Sequence, residues 1–162
     1  MPPDSVKPRL HELRRIRVVA NYQFGRGAAK AFPKTIMITR SPNTHRIRHI
    51  YHDQDLLATY RPKDGLLALS IPGGHALLNI FKPPKLRVRV VPGVEEFIKK
   101  GGNVFCKHVQ VVDPDLRPAE EVLVVDQKDR LLAVGRSFFN AREMLSFKVG
   151  IGVKVRHGAE SR

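Results

Sequence analysis

The stretch Lys82-Pro83-Pro84-Lys85 constrains the fold of this chain more than any other. A proline pair removes two backbone donors and holds the preceding residue out of the helical region, so neither a helix nor a central strand passes through it. A domain boundary is expected here, and residues 1–85 and 86–162 must each bury a core. Hydrophobic residues make up 42% of the chain, which is enough for cores and argues against wholesale disorder.

In the first segment a helix is expected to start after Asp4 or Ser5, either of which can cap it. Val6, Leu10, Leu13, Ile16 and Ala20 step by three or four and predict its buried stripe. Lys7, His11, Arg14, Arg15 and Arg17 lie away from that stripe, and Gly25 is a natural stop. Short strands follow at 35–39, 46–52, 56–60 and 66–71, joined by Asp53-Gln54-Asp55 and by the hairpin signal Pro62-Lys63-Asp64-Gly65. A short helix is expected over 74–81.

In the second segment, 86–91 alternates Leu and Val with Arg87 and Arg89. A short helix at 94–100 ends at Gly101-Gly102-Asn103, and one strand is expected over 104–112. Residues 121–126 and 130–134 form a hairpin that is apolar on both faces, as central strands are. Asn140 and Glu143 have capping-box spacing for a helix at 141–147. In the final strand, 150–157, side chains alternate between faces. Ile151, Val153 and Val155 suit a core, while Gly152, Lys154 and Arg156 form an open positive face where glycine admits a close neighbour. The whole reads as α+β: a small N-terminal α/β domain, then a mixed β-barrel with two short helices.

The formal net charge is +14 and the pI near 10.5, which favours a polyanionic partner. Residues 1–85 hold 15 Lys/Arg against 5 Asp/Glu, a net of +10, so the first segment carries most of the long-range attraction. Glu12 is the only acid near Arg14, Arg15 and Arg17, which points these three to phosphate contact. Cys106 is the single cysteine. It excludes an internal disulfide and a multi-cysteine zinc site, fits a reducing cytoplasm, and reads as a buried thiol. The apolar run 66–81 is broken by Pro72-Gly73-Gly74-His75 and is too short to span a membrane. Met1-Pro2-Pro3-Asp4 leads into no apolar h-region, so no signal peptide is expected.

The order of elements, with Phe97-Ile98-Lys99-Lys100-Gly101-Gly102-Asn103-Val104-Phe105, Glu121-Val122-Leu123-Val124-Val125-Asp126, Leu132-Ala133-Val134-Gly135-Arg136-Ser137 and Lys148-Val149-Gly150-Ile151-Gly152-Val153-Lys154-Val155, resembles the PUA domain. In the first segment, Ala20-Asn21-Tyr22-Gln23-Phe24-Gly25-Arg26-Gly27-Ala28, Arg46-Ile47-Arg48 and the run from Asp55 to Gly65 resemble the domain that precedes it in the archaeosine tRNA-guanine transglycosylase family. The catalytic barrel of that family, with its zinc cysteines and nucleophilic aspartate, has no counterpart in this sequence. The resemblance therefore implies tRNA binding rather than transglycosylation. It favours RNA contact at Gly101, Gly102 and Asn103, beside the open face of Gly152, Lys154 and Arg156 that alternation predicts, with Lys107 nearby. The first segment adds Arg14, Arg15, Arg17, Arg46 and Arg48.

No catalytic constellation stands out. Gly25-Arg26-Gly27-Ala28-Ala29-Lys30 follows a helix rather than a strand, so it reads as a helix-ending turn and not a phosphate loop. His49 and His52 face opposite sides of a strand, which argues against a metal site with His45. Asp113-Pro114-Asp115 reads as a loop, and Gly135-Arg136-Ser137-Phe138 lacks the second glycine of a nucleophile elbow. Phe105, Phe138 and Phe139 are expected in the core. The expectation is a cytoplasmic, cofactor-free, non-catalytic tRNA-binding protein, accessory to a separate modifying enzyme. Two alternatives stand beside it: a small RNA-modifying enzyme with a site among Asp53, Asp55, Asp64 and His75, and a protein-docking module.

Overall fold

Pro8 delays the first helix. In the computed structural model, which describes residues 1–161, helix α1 spans Leu10–Phe24, so neither Asp4 nor Ser5 caps it. Proline is tolerated only in the first turn of a helix or ahead of it. Val6 instead exchanges two backbone hydrogen bonds with Ile38, at 2.9 and 2.8 Å. The buried stripe shifts accordingly to Glu12, Ile16, Ala20 and Phe24, leaving Val6 and Leu10 exposed. Gly25 ends the helix as expected: its amide bonds the Asn21 carbonyl at 3.0 Å and its φ is 117°.

The described contacts divide between two compact units, Met1–Ile80 and the residues from Phe81 on. In the first, β1 (Met37–Arg40), β2 (Ile47–His52), β3 (Asp55–Tyr60) and β4 (Leu67–Leu69) pair antiparallel in chain order. Asp53 and Gln54 both take positive φ, 48° and 78°, matching the twist of a tight hairpin. Gln23 reaches from α1 to β4 and treats it as a strand partner, donating to the Leu67 carbonyl and accepting from the Leu67 amide, each at 2.8 Å. Helix α2 (Ile71–Ile80) begins three residues earlier than expected. Pro72 fits its first turn, and the Ser70 hydroxyl accepts from the Gly73 amide at 3.3 Å.

The second unit contains β5 (Arg87–Val90), α3 (Glu95–Lys99), β6 (Val104–Phe105), β7 (Val109–Val112), β8 (Glu121–Val125), β9 (Leu131–Ser137), α4 (Ala141–Ser146) and β10 (Ile151–Gly158). The expected strand 104–112 is thus two strands, separated by a 3-10 turn at Cys106–His108. The sheet order is β6-β10-β9-β8-β5-β7, so the two halves of that segment occupy opposite edges. One short piece of chain thereby joins both ends of a six-stranded sheet into a nearly closed barrel. Strands β8 and β9 are central, as their two-faced apolar pattern requires, and Val88, Val90, Ile98, Val104, Val122, Val124, Leu132 and Val153 fill the core. Asn140 accepts from the Glu143 amide at 2.9 Å and caps α4.

Gly73 is needed for the packing of α2 on β3, because a Cβ there would lie 2.0 Å from the Leu57 carbonyl oxygen. Backbone cannot swing aside as a side chain can. Gly73→Ala is expected to destabilise the protein by about 1–3 kcal/mol, the usual range for overpacking. Urea denaturation would read this as a lower midpoint at unchanged slope.

Candidate nucleic-acid interface

The last three strands of the barrel carry a row of charge. Glu121 on β8 stands opposite Arg136 on β9, and Arg136 stands opposite Lys154 on β10. Glu121 is buried and forms a forked ion pair with Arg156. Arg136 and Lys154 are exposed and form no ion pair among the described residues. Two like charges directly across a strand pair repel each other. Around them Pro118, Ala119, Ser137, Phe138 and Val155 complete a groove of about 530 Å³. Phe138 is 47% exposed there, a correction to its expected place in the core. Phe139 does pack inward, edge-on to Phe147 at 4.8 Å.

The simple alternation of β10 does not survive in three dimensions. Its pairing with β6 slips between Ile151 and Val153, and its pairing with β9 slips between Val155 and His157. A bulge of this kind re-aims side chains. Gly152 is therefore buried rather than on an open face: a Cβ there would meet Met144 Cγ at 3.1 Å and Cys106 Sγ at 3.4 Å. Cys106 itself is buried, and burial pushes its thiol up from the ordinary range. Of the expected face, Lys154 is open, and Arg156 is half-buried on Glu121.

The structure brings Gly101–Asn103 beside the last strand. What lies closest is protein: the Asn103 side chain accepts from the Val155 amide at 3.0 Å, and a Cβ on Gly158 would lie 2.2 Å from the Lys99 carbonyl oxygen. Lys107 does not join Lys154; it lines a smaller groove of about 240 Å³ with Phe105, Lys148, Val149 and Gly150. Arg136 was missed as a candidate. Its signal was present: it is the one charged residue in Leu131–Ser137 and sits between Gly135 and Ser137, which are buried.

In the first unit, a cleft of about 500 Å³ gathers Arg9, Arg15, Arg40, Arg46 and Arg61 with Tyr60, Glu12, His11 and His45. Arg15 and Arg46 were expected at an RNA surface; Arg9, Arg40, Arg61 and Tyr60 were not singled out. Arg14 and Arg48 are exposed outside this lining. Arg17 turns inward and donates to the Ala29 and Phe32 carbonyls. Glu12 is buried and accepts from the Arg9 amide at 2.9 Å and from both ends of the Arg40 guanidinium. The Arg40 hydrogen bonds outweigh burial and hold the Glu12 carboxyl at about 2.

Other candidates for chemistry are dispersed. His49 bonds the Thr39 hydroxyl and His52 the Thr35 hydroxyl. Among the described residues, no group of three His, Cys, Asp or Glu is placed to hold a metal. Asp113 accepts from the Leu86 and Asp115 amides, and so serves its loop. Asp55 and Asp64 flank opposite ends of β3. No helix among the described residues is long and apolar enough to cross a membrane.

Comparison with known proteins gives this arrangement a class. Residues 87–159 match the PUA domain, and residues 14–84 match the patch-forming domain C2 of tRNA-guanine transglycosylase. The chain is a PUA-domain protein in which a C2 domain precedes the barrel. It is similar to the C-terminal region of tRNA-guanine(15) transglycosylase. Identity is 43% over 95% of this chain for the Thermococcus onnurineus enzyme and 41% over 95% for that of Methanothermobacter thermautotrophicus. The chain spans only about a quarter of those relatives, 27% and 24% of their lengths. In fold it is similar to a hypothetical protein of Pyrococcus horikoshii OT3, with a TM-score of 0.78 at 21% identity over 98% of this chain and 96% of that one. A conserved PUA domain protein of Thermoplasma acidophilum superposes with a TM-score of 0.63 at 20% identity, over 90% and 86%.

Two expected outcomes test the ion pairs. Arg156→Ala strips the guanidinium from buried Glu121 and is expected to cost about 3–5 kcal/mol, whereas exposed Lys154→Ala stays within about 0.5 kcal/mol; thermal melting compares them. Glu12 has a folded value near 2, below its ordinary 4.5. Its contribution is thus full above pH 4.5 and is lost as pH falls towards 2. Wild type is expected to exceed Glu12→Gln in stability by on the order of 3 kcal/mol at neutral pH. Denaturation at a series of pH values should show that excess vanish in acid.

Proposed function

We propose that this protein binds RNA, tRNA in particular, as a non-catalytic holding part in tRNA modification, alongside a separate modifying enzyme. The observation that carries the reading is the β9–β10 groove. Arg136 and Lys154 face each other there across adjacent strands without an acid between them, beside the exposed ring of Phe138. Mutual repulsion is relieved when phosphate enters, and counterion release drives the association. The aromatic ring offers a stacking face to an unpaired base, which is how single-stranded RNA ends are commonly held. The PUA match and the tRNA-modifying relatives support tRNA as the ligand. Gly101–Asn103 and Lys107 belong to the proposed surface by their place beside β10 and on the neighbouring groove. Arg156 and Gly152 support it from within.

Filter binding of a folded tRNA across a salt series is the direct test. The expected slope corresponds to about 4–8 neutralised phosphates; a flat response, or no binding at low salt, would remove the reading. Arg136→Glu with Lys154→Glu is expected to weaken binding at least about tenfold. Lys82→Glu with Lys128→Glu, exposed and outside the groove, is the charge-matched control and should do much less. Equal losses in the two would mean that RNA is attracted everywhere and held nowhere.

A further inference from the structure

The arginine cleft of the first unit is a different kind of surface from the barrel groove. Five guanidiniums line it, and its one lining carboxylate, Glu12, is already committed to Arg40. Arg61 shares a second acid, Asp64, through Nη2 at 3.0 Å. Arg9, Arg15 and Arg46 have no ion-pair partner among the described residues. Two further donors of Arg61, Nε and Nη1, are buried with no hydrogen-bond partner. Buried guanidinium donors left without an acceptor are costly, and native structures seldom leave them so.

Position adds to charge. The lining comes from the start of α1, the end of β1, the turn into β2, and the end of β3 with the turn after it. These are parts of one antiparallel sheet and the helix beside it. The arginines therefore converge on one place rather than marking out a line. A line of cations follows a nucleic-acid strand, while a convergent set with planar forks fits a single phosphate. Tyr60, half-buried in the same cleft, offers a ring edge and a hydroxyl to whatever the phosphate carries.

We propose that this cleft is a binding site for a single phosphate group, held by Arg9, Arg15 and Arg46, with Arg61 behind them and Tyr60 against the attached nucleoside. The site deepens the RNA-binding reading if the phosphate belongs to an RNA chain, and it stands apart from that reading if the phosphate is free or on a mononucleotide. Arg40 is not a ligand: its guanidinium is taken up by both carboxylate oxygens of Glu12.

The test uses the full chain in chloride buffer at constant ionic strength, with inorganic phosphate and guanosine 5′-monophosphate as probes in equilibrium dialysis. Wild type is expected to bind one equivalent saturably, with a dissociation constant of about 1 mM or below, and Arg15→Ala with Arg46→Ala is expected to lose at least about tenfold. Neither residue takes part in an ion pair among the described residues, and unchanged melting temperature would confirm that the fold is intact. Arg15→Lys with Arg46→Lys should restore part of the loss, since charge returns without the fork. Lys82→Glu with Lys128→Glu, exposed and outside both the cleft and the barrel groove, should leave phosphate binding unchanged. Absence of saturable binding, or equal binding by wild type and the double alanine variant, would overturn the proposal. A parallel loss of tRNA affinity in the alanine variant assigns the phosphate to RNA; unchanged tRNA affinity with lost phosphate binding assigns it to a small molecule. Wild type that binds phosphate but not tRNA would keep the cleft and remove the RNA reading; the converse would do the reverse.

Discussion

The barrel depends on one turn. Cys106–His108 takes three residues out of the strand direction and lets a single segment serve both edges of the sheet. The Cys106 amide bonds the Gly150 carbonyl at 3.0 Å, ahead of β10, and the His108 carbonyl accepts from the Val91 amide at 2.9 Å, just past β5, so each side of the turn is tied to the strand next to a different edge. Closing a sheet in this way spares it exposed edges. It also fixes where β10 lies, and hence where Lys154 meets Arg136. The small residues around the turn follow from the same crowding. Gly152 leaves room for Met144 and Cys106, and Gly135 lets the Lys154 carbonyl approach to 2.3 Å of where a Cβ would stand.

A chain with nearly twice as many basic as acidic residues uses its acids sparingly. Several are anchors inside the fold: Glu12 on Arg40, Glu121 on Arg156, Asp126 on Arg130, and Asp129 on the buried Arg87. Burial alone would raise the Asp126 carboxyl, but bonds from the Arg130 amide and guanidinium and the Lys128 amide outweigh it and hold it low. Acids spent internally cannot neutralise the surface. The outward excess of arginine is thus partly a product of how the core is tied.

Much of this was legible in the sequence. Alternation and two-faced apolar runs found most strands and the central position of β8 and β9, turn residues found the hairpins and bounded α3, and capping-box spacing found α4. They failed where one local residue outweighed the pattern. Pro8 moved the start of α1, Pro72 proved compatible with the first turn of α2, and a 3-10 turn broke an apparently continuous strand. Alternation placed Lys154 correctly and Gly152 wrongly, because a bulge is invisible to a strict count of two. The candidate sites were only partly readable for a related reason. Arg9, Arg40 and Arg61 lie far apart in sequence and meet only once the sheet has formed, while Arg17 and Arg156 look like surface charge until their partners are known.

The four-stranded sheet of the first unit stays open, yet neither border is left bare. On one side Val6 takes both backbone groups of Ile38; on the other the amide of Gln23 takes both backbone groups of Leu67. An uncovered border is a template on which a second molecule can add a strand. For a protein of this charge, mutual repulsion discourages such stacking in dilute salt and ceases to do so when ions screen it. Two borrowed partners, one a lone residue of backbone and the other a side chain, occupy the backbone groups of Ile38 and Leu67 whatever the ionic strength.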